Sequence, residues 1–250
     1  MSVAENTNGQ ELPSRQSFDT THWSVVLSAA DTSAPGAQAA LESLCRTYWY
    51  PLYTYVRRQG RTQEDSQDLT QEFFARFLQR KSFQQADRER GRFRSFLLTS
   101  LKHFLVNEWE RANTQKRGGG RPLLPVDTVA AESLYSQELS HDLSADRIYE
   151  HAWAMAMLTR VRERLQREYG AEGKAERFTR LEEFLPGQKG ELTYAEAARL
   201  LGVAEGTVKS DVNRLKKRYR DLLRAEIAHT VSSPDEINDE LRHLITVIGG

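Results

Sequence analysis

One cysteine, Cys45, occurs in 250 residues. That excludes an internal disulfide framework and suits a reducing compartment. No apolar run reaches the roughly eighteen residues that a membrane span needs, and the segment before Phe18 lacks the basic-then-apolar order of a signal peptide. The expectation is a cytoplasmic chain without a membrane segment. Long alternating runs of Val, Ile and Thr are absent, whereas Leu, Ala, Glu, Arg and Gln abound, so the fold class expected is all-α. The six histidines (His22, His103, His141, His151, His229, His243) include no pair spaced to put two ligands on one helix face. Gly118 to Gly120 lacks the lysine and the strand of a P-loop, and no nucleophile elbow occurs. Neither a metal site, nor a cofactor, nor an enzyme is expected.

Net charge is also missing: 35 basic residues balance 35 acidic ones. The balance is not local. Residues 37–121 carry sixteen basic against nine acidic residues, and residues 232–250 carry one against four. Such alternating blocks make a dipolar chain, so the neutral total does not argue against nucleic acid.

What is present falls into two helical domains joined by a flexible acidic linker. Residues 1–17 are polar and expected to be disordered. Residues 18–121 form the first domain: a segment with Trp23, an apolar-patterned stretch from Ala37 to Arg58 that Pro51 should kink or split, then two helices. The first of these, Glu64 to Arg80, has an apolar stripe of Leu69, Phe73, Phe74, Phe77 and Leu78 opposite an acidic face of Asp65, Asp68 and Glu72. The second, Phe93 to Ala112, buries Phe93, Phe96, Leu97, Leu101, Phe104, Leu105 and Trp109, and points Arg94, Lys102, His103, Asn107 and Arg111 outward. Three glycines and a proline after Arg117 close the domain. Residues 122–146 contain five acidic and no basic residues and read as the linker.

Residues 147–231 form the second domain. Within it, Thr193 and Glu196 make a capping box for a short helix burying Ala197, Ala198 and Leu201, and Gly202 ends that helix. A second helix follows with a stripe of Val208, Val212, Leu215, Tyr219 and Leu222. Between Gly206 and Arg224 seven basic residues face two acidic ones. This is a helix-turn-helix, and in that motif the first turns of the second helix meet base edges, which makes Lys209, Ser210, Asn213 and Arg214 the candidate readers.

In their order, the acidic-faced helix, the aromatic-cored basic helix and the helix-turn-helix resemble the extracytoplasmic-function (ECF) class of alternative sigma factors of bacterial RNA polymerase. The resemblance covers residues 37 to 118 and 147 to 228. It implies that Asp65, Asp68, Leu69, Gln71 and Glu72 grip the clamp helices of the polymerase beta-prime subunit. It implies that Lys102, His103, Asn107 and Arg111, with Lys116 and Arg117 on phosphates, melt and read the downstream promoter element. The upstream element falls to Thr193, Lys209, Ser210, Asn213, Arg214 and Lys217. Three positions depart from the family pattern: His103 stands where asparagine is usual, Ala204 replaces a capping serine, and Asp211 replaces a basic residue. Core polymerase and promoter DNA are the implied partners, with an anti-sigma factor or a regulatory kinase as further ones. A stand-alone helix-turn-helix regulator is the alternative, and it leaves the first domain unexplained.

Residues 232–250 add a helix. Ser233-Pro-Asp-Glu reads as its N-terminus, with Glu236 closing a capping box, and Ile237, Leu241, Leu244, Ile245 and Ile248 form its stripe. Two roles stay open: a brace on the second domain, or an acidic mask over the recognition helix.

Overall fold

The computed structural model describes residues 37–79, 92–112, 128–138, 143–186 and 192–249. Expectations for residues 1–36, for Lys116 and Arg117 and for the glycine run lie outside the described residues. Among those described, every regular element is helical.

Helix α1 (Ala37–Arg58) runs through Pro51, despite the amide that proline removes. Its buried residues Cys45, Tyr48, Trp49, Leu52, Tyr53 and Val56 recur at helical spacing. Gly60, at φ 80, turns the chain into α2 (Gln63–Gln79). There Thr62 Oγ1 caps the Asp65 amide at 3.1 Å. Helix α3 (Phe93–Ala112) packs its aromatic side on α2, with Phe73 edge-on to Phe104 at 5.7 Å between centroids.

Helix α4 (Thr128–Glu138) lies in the segment read as linker, and it is docked. Ala131 and Tyr135 are buried four residues apart. Between them Glu132 bonds Arg57 Nη2 at 2.6 Å and Nε at 3.1 Å, and takes the Tyr53 hydroxyl. Arg57 also lies over the Tyr135 ring. The acidic count suggested a tether, but one carboxylate with a cationic partner and a small apolar stripe suffice to seat a helix.

Helix α5 (Ala145–Ala171), capped by Ser144, is the axis of the molecule: it packs along α1 and also touches α6 (Ala175–Leu181), α8 (Glu205–Ala228) and α9 (Ile237–Gly249). Arg160 Nη1 donates to Thr47 Oγ1 at 2.8 Å, and its Nε lies 3.1 Å from Glu226, tying α1, α5 and α8 together. The apolar core is continuous from α1 to α9. The boundary drawn at residues 122–146 is therefore crossed by packed side chains.

The remaining helices are α7 (Tyr194–Leu201), α8 (Glu205–Ala228) and, after a short 3-10 turn, α9 (Ile237–Gly249). The capping box expected on Ser233 is displaced: Ser233 makes no side-chain cap bond, and Glu236 accepts instead from the Ser232 amide at 2.9 Å. Helix α9 rests on α5 and on the C-terminal part of α8, where Arg224 bonds Asn238 at 2.8 Å.

Candidate nucleic-acid and polymerase interfaces

Local chemistry dictates the α7–α8 turn. Thr193 Oγ1 accepts from the Glu196 amide at 3.2 Å while Glu196 accepts from the Thr193 amide at 2.9 Å. Gly202, at φ 65, takes the left-handed cap, and the Val203 amide reaches back to the Ala198 carbonyl at 3.0 Å. Ala197 and Ala198 are buried, and Leu201 is half-buried. Helix α8 then buries Val208, Val212, Leu215, Tyr219 and Leu222, and burial pushes the Tyr219 hydroxyl up to about 12. Ala204 stands at the N-cap position with no side-chain bond to offer.

With that stripe inward, Lys209, Ser210, Asn213, Arg214 and Lys217 are all exposed. Lys209 pairs with Glu205 at 2.7 Å, which holds its ammonium pKa above the ordinary value, and it lies 5.9 Å from the centre of the Tyr194 ring. Thr193 is exposed too, but its hydroxyl is committed to Glu196, Oγ1 to Oε2 2.7 Å. Its position therefore serves first as a cap.

Asp211 does not face outward with the readers. It is buried and paired with Arg177 of α6, Nε to Oδ2 2.7 Å, and with Arg214. The departure from a basic residue there is a structural tie between α6 and α8, and through Arg214 it also engages the exposed face.

On α3, His103, Asn107 and Arg111 are exposed and share one face at four-residue spacing. Lys102 turns away from them. It lies in an open cleft of about 430 Å³ between α1 and α3, 2.5 Å from Asp146 of α5 and over the Tyr55 ring. The bond to Asp146 holds its ammonium pKa above the usual value. Trp109, expected in the core, is 59% exposed at the rim of this cleft beside Val106.

On α2, Asp68 is exposed, whereas Asp65, Gln71 and Glu72 are half-buried. Glu72 bonds Arg76, and Arg76 also bonds Glu108 of α3 and lies over Phe104. Leu69 packs against the core. The acidic face exists, and Glu72 is at the same time part of the α2–α3 joint.

Sequence reasoning missed a buried ionic cluster. Arg94, placed outward by periodicity, is 3% exposed and meets Glu240 and Glu150. The signal was available: Glu240 sits three residues after Ile237 and four before Leu244, a carboxylate on the apolar stripe. A mask would use Asp235, Glu236, Asp239 and Glu240; of these, Asp239 pairs with Arg242, Glu236 caps Ser232 and Glu240 meets arginines of the first half. None of these three pairings is with the first turns of α8.

Among the described residues no helix is long and apolar enough to cross a membrane, and no group of three or more potential ligands could hold a metal ion. A family model described as ECF sigma factor matches residues 26–227. No curated protein and no solved structure matches the chain.

Proposed function

The chain belongs to the ECF sigma factor family, RNA polymerase sigma factors that act in promoter recognition, and we propose that it joins core polymerase through α2 and reads two promoter elements, one with α3 and one with α8. The observation that carries this reading is the recognition helix: a buried stripe fixed by the Gly202 turn leaves Lys209, Ser210, Asn213 and Arg214 together on the open side of its first turns. Arginine, lysine and asparagine side chains there suit base edges and phosphates of the major groove. The face of His103, Asn107 and Arg111 supplies cationic and amide groups, beside an exposed tryptophan, for bases taken out of the stack. Asp68 offers a solvent-facing carboxylate to a basic partner helix.

Core RNA polymerase and promoter DNA are the partners, the cytoplasm is the place of action, and the chain itself catalyses nothing. The test is transcription in vitro with core polymerase and a genomic promoter library. Initiation from a defined subset of promoters, dependent on this chain, is expected. DNA binding that neither requires nor recruits polymerase would instead mark a stand-alone helix-turn-helix regulator.

A further inference from the structure

Arg92 and Arg94, at the start of α3, converge on a single carboxylate from the opposite end of the chain. Arg94 Nε lies 2.6 Å from Glu240 Oε1, and Arg92 Nε lies 2.9 Å from Glu240 Oε2. Glu240 has no exposure and Arg94 almost none. Behind them Arg94 meets Glu150 of α5 and lies 4.9 Å from the centre of the Trp153 ring, while Glu150 also meets His243 of α9 at 2.6 Å. The backbone adds one bond across the same joint, from the Phe93 amide to the Thr230 carbonyl at 3.0 Å.

A helix kept only for stability would bury apolar surface, and α9 buries little. Leu244 and Glu240 are its buried residues, Ile237, Leu241, Val247 and Ile248 are half-buried, and Ile245 is 66% exposed. A buried ion pair contributes little against apolar residues of the same volume, because desolvation offsets the attraction. A short helix with few buried apolar contacts also belongs to the least stable parts of a fold. Two guanidiniums gathered on one anion are, moreover, the arrangement that binds a phosphate.

We infer that α9 is an intramolecular latch: Glu240 occupies the Arg92–Arg94 pair in place of a phosphate and pins the start of α3 to the α5–α8 body. When α9 leaves, Arg92 and the Nε edge of Arg94 lose that carboxylate and can take the DNA backbone, while Arg94 Nη1 stays on Glu150. This rests on the reading of α3 as the helix that handles melted promoter DNA. It differs from a mask over the recognition helix, because the contact is with the first half of the chain and the readers on α8 stay open.

The test compares full-length chain, Glu240→Ala, and the double variant Arg94→Met with Glu240→Leu, which replaces the ion pair by apolar side chains. Two readouts are hydrogen exchange at individual amides and binding of a mixed-sequence single-stranded oligonucleotide over a range of salt. In Glu240→Ala the Phe93 amide is expected to exchange about tenfold faster while the α8 amides keep their protection. Its binding should depend on salt more steeply, by about one to two in slope, since each arginine that takes a phosphate adds roughly 0.7 on a single strand. The double variant should regain Phe93 protection, and its slope should steepen by no more than the roughly 0.7 that Arg92 alone can add. Unchanged Phe93 protection in Glu240→Ala overturns the latch, as does loss of protection throughout α5 and α8 in both variants, which would make α9 part of one indivisible core. Opening without a change in salt slope overturns the phosphate site. The exchange readout needs no polymerase, so failure of the sigma-factor reading would show separately, in transcription, with the exchange pattern intact.

Discussion

Arg177 of α6 and Asp211 of α8 form a clasp: Nε and Nη2 of the guanidinium both reach Oδ2 of the buried carboxylate, and Oδ1 is left to Arg214. Asp211→Ala should therefore cost about 2 kcal/mol of stability, the scale of a hydrogen bond to a charged group. Chemical denaturation checks this. Polymerase binding, which the proposed function places on α2, should not change.

Ala204 occupies an N-cap with extended backbone, φ −68 and ψ 146, and lacks a side chain that can accept the orphan amides of the first turn of α8. Ala204→Ser should stabilise the chain by about 1 kcal/mol. A raised melting temperature with unaltered promoter preference is the expected pair of results. No gain would mean that Glu205 already satisfies that turn.

The α2 face calls for two separate substitutions. Asp68→Lys changes an exposed carboxylate and should abolish co-purification with core polymerase at wild-type stability. Glu72→Lys also removes the partner of Arg76, which links α2 to Glu108 and Phe104, so it should lower stability as well. Intact polymerase binding by folded Asp68→Lys would remove α2 from the interface.

For the readers, Lys209→Ala and Arg214→Ala should separate by role. Loss of a base contact costs about 1 to 3 kcal/mol of discrimination, whereas loss of a phosphate contact lowers affinity evenly and flattens the salt slope. Arg214 is held by Asp211 and Lys209 by Glu205, so under the proposed function each would enter DNA by exchanging a carboxylate for a base or a phosphate. Binding to cognate and scrambled upstream elements, measured across salt, assigns the two.

The docking of α4 should depend on pH. The Arg57 guanidinium holds the Glu132 carboxyl below its usual 4.5. A depressed pKa in the folded state gives stability that is present above the unfolded value and is lost as pH falls through the folded one. Amide protection at Ala131 and Tyr135 should thus hold at neutral pH and fall on acidification below about 4.5. Glu132→Gln should weaken it at neutral pH and make it less sensitive to acid.

The sequence was most legible where the cause is local. A capping box, a left-handed glycine and a four-three spacing each act within one turn, and α7 and α8 follow them residue by residue. It was least legible where distant segments meet. Periodicity assigns a charged residue outward by default, which misplaced Arg94, whose burial depends on a carboxylate far along the chain. The burial of Asp211 was out of reach for the same reason, because its partner lies on another helix. In α4 the count of acidic residues outweighed a short stripe whose partner, Arg57, no local window contains.

The packing of α1 along α5 also bears on how the chain is made. The aromatic face of α1, with Tyr48 and Trp49 fully buried, has its main cover in a helix that ends at Ala171. At ordinary rates of synthesis that cover emerges on the order of 10 s later. During that interval the nascent chain displays an uncovered apolar helix, a natural target for a chaperone. A polypeptide released before α5 is complete would carry that face into solution, so a chain truncated before Ala171 is expected to be prone to aggregate.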